Sequence, residues 1–256
     1  MVLVETDSTV HVLTAITDFA LVFRNFSAYQ DKAFARLWFA FGQAFADDTP
    51  KVMDSILSTS HGIILDVGPG AGHQTFRFTN KSGIQAIYGA EPGSGMHTLL
   101  KENAEKAGLG QKYKILSCGA ELETLIPALV KDGLLKSEKY GEGVFDEIVC
   151  IRVLCGVSNQ QETIKGLYGL LKPGGRFVVC EHVINGGPGG TTTGRTLQTM
   201  YMAMGWTFMM GGCDLKRDTM QVLQALGDDA WEETKVTTFD SWSAVPHIIG
   251  YLVKRK

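Results

Sequence analysis

The 256-residue chain predicts a doubly wound α/β fold. The expected sheet has seven strands, mostly parallel with an antiparallel last strand, behind a helical N-terminal cap. Three observations carry this prediction. Five short runs rich in branched apolar residues alternate with segments of helical period, the pattern of a parallel sheet covered on both faces. A glycine-rich turn, Asp66-Val67-Gly68-Pro69-Gly70-Ala71-Gly72, follows the first run directly. Apolar residues make up 45% of the chain, enough for a sizeable core without disulfides or metal.

Residues 31–46 read as an amphipathic helix, with Phe34, Leu37, Trp38, Phe41 and Phe45 at i, i+3, i+4, i+7 and i+11. Such a stripe packs on the core, covers a ligand as a lid, or lies on a membrane surface. A short helix is expected over 51–58 and the first buried strand over 63–67. Residues 74–80 read as helical, 85–90 as a strand, 96–107 as a helix ending at Gly108, and 113–117 as a strand. A helix over 121–135 and a strand over 145–151 follow. Ser158-Asn159-Gln160-Gln161 has the S-x-x-Q form of a capping box, so a helix should start there. It should stop before Lys172-Pro173-Gly174-Gly175, because Pro and paired Gly end helices. The fifth strand then runs over 176–183.

The Gly/Thr-rich stretch 184–194 reads as a flexible loop. Helices over 195–209 and 215–227 and strands over 232–239 and 247–254 complete the chain. The expected organisation is a helical cap over 1–60 and a domain over 61–256 that carries a lid insertion at 184–230.

Composition excludes several classes. Lys and Arg total 24 against 27 Asp and Glu, a net charge of −3, which argues against a dedicated nucleic-acid binder. The five cysteines are odd in number and include no CxxC pair, so neither a disulfide framework nor a zinc cluster is expected, and no metal. Reduced thiols fit a cytoplasmic protein. No secretory signal is apparent. The early apolar run Phe19–Phe23 is far shorter than the ~20 residues a spanning helix needs, so no transmembrane span is expected, although membrane-surface contact stays open. Thirty glycines, about 12% against a typical ~7%, imply many backbone positions with unusual dihedrals or close approach.

Glycines at 68, 70 and 72 let the backbone turn tightly at the end of the first strand and come close to a ligand, toward which the next helix would point its free N–H groups. Glu91 closes the second strand, where a carboxylate can accept both hydroxyls of a ribose. Two ligand classes fit, a dinucleotide or S-adenosylmethionine. The dinucleotide fingerprint G-x-G-x-x-G/A is not met, because His73 stands at its last position. A Tyr-x-x-x-Lys pair, Tyr168 and Lys172, has a dehydrogenase spacing but abuts the Pro173-Gly174-Gly175 break.

In this combination the sequence resembles a class I S-adenosylmethionine-dependent methyltransferase of Rossmann-like fold. The motifs appear in order: the 66–72 loop, Glu91, Gly119-Ala120-Glu121 after strand three, Phe145-Asp146 opening strand four, and Leu171-Lys172-Pro173-Gly174-Gly175 before strand five. From residue 148 onward the chain is similar to the methyltransferase-like group that includes mammalian alkyl thiol methyltransferases. The residues concerned are Ile148-Val149-Cys150, Val153-Leu154-Cys155, Asn159-Gln160, Glu181-His182-Val183, Gly212-Cys213 with Leu215, and Pro246-His247-Ile248 with Gly250-Tyr251. The chain departs from that group in lacking its apolar membrane anchor and in carrying Pro69 and Arg152.

The resemblance implies S-adenosylmethionine as cofactor and a small lipophilic acceptor, a thiol first. Alternatives are O- or N-methylation of a secondary metabolite, or cofactor binding without methyl transfer, in a cyclase or binding role. Transferred onto matching positions, Gly68, Gly70 and Gly72 pass close to the cofactor, Glu91 holds its ribose, and Ala120 and Glu121 border the adenine. Cys150, Ile151 and the residues up to Val153 line the methionine arm, Asp66 orients the loop, and His73 makes a neutral contact. His182, at the C-terminal edge of strand five, is the candidate base. Arg152 either recognises an acidic acceptor group or pairs with Glu181 or another acid of the cap. Trp38, Tyr29, Met200, Tyr201, Met204, Trp206 and Met209 form aromatic and Met-rich groups that are either core or the wall of an apolar acceptor pocket.

Overall fold

Strands buried on both faces need apolar side chains at successive positions, with neighbours pointing in opposite directions. β1 (Gly62–Val67) shows this: Leu65 and Val67 enter one core cluster and Ile64 the opposite one. β4 (Phe145–Ile151) and β5 (Leu171–His182) follow the same alternation. Ile148, Cys150, Phe177 and Val179 lie on the first face, and Val149, Val178 and Cys180 on the second. The computed structural model describes residues 23–136 and 143–256.

Together with β2 (Ile84–Ala90), β3 (Tyr113–Leu116), β6 (Trp231–Phe239) and β7 (His247–Lys254), these strands form one seven-stranded sheet of order β3-β2-β1-β4-β5-β7-β6. β1 to β5 pair in parallel, and β7 runs antiparallel to both β5 and β6. The expected seven strands, including the reversed last one, are therefore present. β1 has β2 on one side and β4 on the other, so the order reverses there. In open α/β sheets such a switch point leaves a crevice at the C-terminal strand ends, where ligands bind.

Helices cover both faces. α1 (Phe26–Asp47) and α2 (Val52–Leu57) precede the sheet, and α3 (His97–Lys106), α4 (Leu122–Lys131) and α5 (Gln160–Leu170) alternate with its strands. The lid segment supplies α6 (Thr192–Ala203), α7 (Trp206–Met209) and α8 (Thr219–Gln224).

Several sequence expectations need correction. Residues 74–80 form no α-helix, only a 3-10 turn over Thr75–Arg77. Buried Arg77 reaches Ala46 O at 2.8 Å and pairs with Asp54, while Phe78 turns into the core. Those anchors point in directions one continued helix could not serve. The capping box is displaced by one residue: Asn159 caps α5 by accepting from Glu162 N, and Ser158 Oγ instead donates to Glu121 Oε1. The Gly/Thr-rich loop is organised around buried Asn185, whose Nδ2 donates to Ser241 O and Ser243 O and whose Oδ1 accepts from Thr191 N. α1 begins earlier than expected, at Phe26; the expected cap's first 22 residues lie outside the described ones, as does the run from Phe19 through Val22.

Among the described residues no helix is long and apolar enough to cross a membrane.

Candidate active site

The crevice is built by the loops that leave β1, β2, β3 and β4. A cavity of about 370 Å³ occupies it, walled by Gly68 and Gly70, Glu91 and Gly93, Gly119 to Glu121, and Ile151 to Val153. Gly68 and Gly70 adopt φ of +61° and +57°, which L side chains rarely take. At Gly70 the approach is also steric: a Cβ would sit 2.6 Å from the Trp38 indole nitrogen of α1.

Glu91 holds the loop and the crevice together. Its Oε2 accepts from Gly70 N at 2.9 Å and its Oε1 from Gly93 N at 2.7 Å. Burial raises its pKa above the usual carboxylate value, and the two N–H bonds oppose the rise. Each oxygen keeps a further lone pair, so the carboxylate can accept ribose hydroxyls without losing the loop. Ala120 and Glu121 line the same cavity.

Other expected cofactor residues play different parts. Gly72 packs against α3, where a Cβ would meet Leu100 Cδ1 at 2.7 Å, and does not line the cavity. Cys150 is fully buried in the core; Ile151, Arg152 and Val153 line the wall assigned to the methionine arm. His73 faces α1, where a Cβ on Gly42 would lie 2.6 Å from the imidazole Cε1, and its Nδ1 has no partner. Burial lowers its pKa, which keeps the ring neutral. No helix starts behind it, so the expected row of helical N–H donors is absent there.

Asp66 sits behind the glycine loop and accepts the Tyr113 hydroxyl at 2.7 Å. Burial pushes its carboxyl up to about 6. The folded protein therefore holds that proton between the ordinary carboxylate range and about pH 6, and stability falls as pH rises through this window. Asp66→Asn, which can still accept from Tyr113, should flatten that slope by an amount on the order of 2–3 kcal/mol. Urea unfolding at pH 4.5 and 7 measures it, and an unchanged slope would remove Asp66 as its source.

A second cavity, about 320 Å³, adjoins the first. Phe34, Trp38, Arg152, Cys155, Met210 and Cys213 line both. The second cavity has an aromatic and apolar wall that includes Phe45, Trp206 and Val245, and its polar groups are Asp48, Arg152, His182, Asp240, Ser243 and His247. Part of the aromatic stripe of α1 thus lines the two cavities. Phe34, Trp38 and Phe45 face the cavities with ring centroids 5.5 Å apart in succession, while Phe41 points to solvent. Gln30 of α1 also donates to Thr207 O of α7 at 3.2 Å, joining the two covers.

Arg152 adopts φ of +57°, uncommon for a non-glycine residue. Its guanidinium donates to Phe45 O at 2.5 Å and lies 3.7 Å from Asp48, so it pairs with an acid of the cap and not with Glu181. Its Nε is buried without a partner. Fully buried Glu181 accepts instead from Val153 N and Leu154 N at 3.0 Å each and from Cys155 N at 3.2 Å. Burial still pushes its carboxyl up to about 7.

His182 is 7% exposed, with Nδ1 3.4 Å from Cys213 Sγ and its ring centroid 4.6 Å from that of His247. Burial takes its pKa well below the ordinary histidine value, and His247 is pushed down to about 4 for the same reason. The Met-rich group divides: Trp206 lines the second cavity, whereas Met200, Tyr201, Met204 and Met209 are exposed and line neither of these two cavities. Sequence reasoning missed Gly156, Val157, Met210 and Gly211 as cavity residues. Cys155 and Cys213 fall in segments that carry the family resemblance, but nothing local in the sequence marks either as a cavity residue.

A family model described as a methyltransferase domain matches residues 65–179, the segment from the glycine loop through β5. Over this segment, a little under half of the chain, the sequence is similar to a methyltransferase domain. The cofactor of such a domain is S-adenosylmethionine, and the lining of the first cavity fits it: the Glu91 carboxylate, which keeps lone pairs free to accept hydroxyls, and an apolar wall at Ile151 and Val153. The domain is similar to human thiol S-methyltransferase TMT1A, at 31% identity over 114 residues, which covers 44% of this chain and 45% of that protein. The match thus spans about half the length of that relative. Among solved structures, an O-methyltransferase family protein from Burkholderia thailandensis matches with TM-score 0.55 and 13% identity over 90% of this chain and 59% of its own. The [4+2]-cyclase SpnF matches with TM-score 0.53 and 15% identity over 80% and 81%. At such identities these two likenesses concern the fold alone.

Proposed function

We propose that the protein is an S-adenosylmethionine-dependent methyltransferase that methylates the sulfur of a small lipophilic thiol. The observation that carries this reading is the shared wall of the two cavities. An apolar chamber opens beside the cofactor crevice, with Phe34, Trp38, Arg152, Cys155, Met210 and Cys213 facing both. The cofactor supplies an electrophilic methyl group on a sulfonium, and the acceptor's sulfur lone pair forms the new bond as the old one breaks.

The chain's own residues do the rest. Glu91 and the glycine loop would fix the nucleoside. Val153 and its neighbours, braced by Glu181, would orient the methionine arm. The α1 stripe and Trp206 exclude water, which favours a reaction limited by positioning. A chamber with an aromatic and apolar wall selects a lipophilic acceptor. Among the described residues no carboxylate hydrogen-bonds His182 or His247, the arrangement that would strengthen an imidazole as base toward an alcohol. A thiol, with an ordinary pKa of ~8.5, makes a smaller demand. Similarity to a thiol S-methyltransferase supports the same choice.

His182 is the polar group best placed at the acceptor. His182→Ala should lower turnover roughly 100-fold with little change in cofactor affinity. Unchanged turnover from about pH 6 to 9 would exclude it from acceptor activation. The reading as a whole is tested by S-adenosylhomocysteine release against matched lipophilic thiols, phenols and amines. Turnover confined to thiols is expected. Preference for phenols or amines would replace the acceptor class, and tight cofactor binding with no turnover would replace the catalytic reading by a binding or cyclase role.

A further inference from the structure

The floor of the acceptor cavity gathers soft donor atoms from three distant stretches of chain. Cys155 comes from the loop after β4, His182 from the end of β5, and Cys213 from the loop after α7. Cys213 Sγ lies 3.4 Å and Cys155 Sγ 3.8 Å from His182 Nδ1. All three donor atoms lie within 4.8 Å of one another, and all three residues are buried. A tetrahedral zinc ion with bonds of ~2.3 Å to sulfur and ~2.0 Å to nitrogen sets a sulfur and a nitrogen about 3.5 Å apart. The two observed distances bracket that value.

His247 provides a second, independent observation. It is 8% exposed, lines the same cavity, and packs against His182 with the two rings tilted at 54°, yet neither of its ring nitrogens has a hydrogen-bond partner. Burying an imidazole with both nitrogens unpaired carries a desolvation cost that native structures rarely leave standing. A cation beside it would give one nitrogen a bond. Two thiolates and one or two imidazoles are a donor set suited to zinc.

We propose that Cys155, Cys213 and His182 bind a zinc ion, that His247 fills its fourth position in the absence of acceptor, and that the acceptor's sulfur takes that position as thiolate. The two cysteine protons leave when the ion binds. The acceptor's thiol proton passes to solvent as its sulfur–zinc bond forms and the His247–zinc bond breaks. Ion binding stands on the geometry alone; acceptor coordination rests on the thiol reading of the function.

The test uses the full chain, reduced and freed of metal with a chelator, then titrated with cobalt(II). One equivalent should develop near-ultraviolet sulfur-to-cobalt charge-transfer absorption and strong tetrahedral ligand-field bands, and zinc should abolish both by displacement. Cys213→Ser and His182→Ala should each weaken zinc binding at least ~100-fold. Cys118→Ser, a buried thiol elsewhere in the core, should not weaken it, with circular dichroism confirming that every variant folds. Absence of the charge-transfer band, or its full persistence in Cys213→Ser, overturns the ion site.

A lipophilic thiol added with S-adenosylhomocysteine should shift the ligand-field bands. An unshifted spectrum in a protein that methylates that thiol overturns acceptor coordination. Methylation of phenols alone overturns the thiol reading and leaves the cobalt spectrum as evidence for the ion.

Discussion

Glu91→Ala should weaken S-adenosylmethionine binding by more than tenfold, and by as much as about 100-fold, with little loss of secondary structure. Two effects act together. The carboxylate would give up its bonds to the ribose, and hydrogen bonds to a charged group contribute about 1.5–3 kcal/mol each. The same change also releases Gly70 N and Gly93 N, which Glu91 holds at 2.9 and 2.7 Å, so the glycine loop loses its tie to the end of β2. Glu91→Gln separates the two effects. Its single amide oxygen can keep one of the backbone bonds but cannot serve both, so its affinity should fall between wild type and Ala. Isothermal titration calorimetry measures all three, and wild-type affinity in Glu91→Ala would contradict the ribose assignment.

Glu181→Ala should be the most destabilising single change at the site, by on the order of 3–5 kcal/mol. One fully buried carboxylate satisfies three consecutive backbone donors, Val153, Leu154 and Cys155. Removing it leaves those N–H groups buried and unpaired, at about 1–3 kcal/mol each before relaxation. It also frees the turn on which Arg152 takes its left-handed conformation, and this turn forms the wall between the two cavities. Glu181→Gln should cost less: both Val153 N and Leu154 N bond to Oε1, which the amide retains, and only Cys155 N at Oε2 meets a donor. Denaturant unfolding ranks the three proteins. Equal stability of Glu181→Ala and wild type would show that the turn is held by other contacts.

Much of this architecture is legible in the residues. Stretches such as Ile63-Ile64-Leu65 and Ile148-Val149-Cys150-Ile151 are apolar at successive positions, the pattern of strands in a sheet covered on both faces. The glycine loop and Glu91 could be paired because each sits at the C-terminal end of a strand beside the switch point. What depends on contacts distant in sequence was not legible. Residues 74–80 have helical composition, yet Arg77 and Phe78 are claimed by Asp54, Ala46 and the core. Gly72 differs from Gly68 and Gly70 only in what packs against it, and Cys150 differs from Ile151 only in which face of β4 it occupies. The Cys155, His182 and Cys213 cluster has no local spacing at all, so a rule that seeks CxxC pairs cannot find it. Arg152 was recognisable as an unusual charge, but its partner Asp48 lies more than a hundred residues earlier.

The proposed function is methyl delivery from the first cavity to a sulfur nucleophile held in the second. Incubation of the purified protein with S-adenosylmethionine carrying a trideuterated methyl group and a lipophilic thiol, followed by mass spectrometry, tests it most directly. The expected product is a thioether that carries the three deuterium atoms, formed in equal amount with S-adenosylhomocysteine and lost in Glu91→Ala at limiting cofactor. Unlabelled thiol recovered beside a protein saturated with cofactor would contradict it.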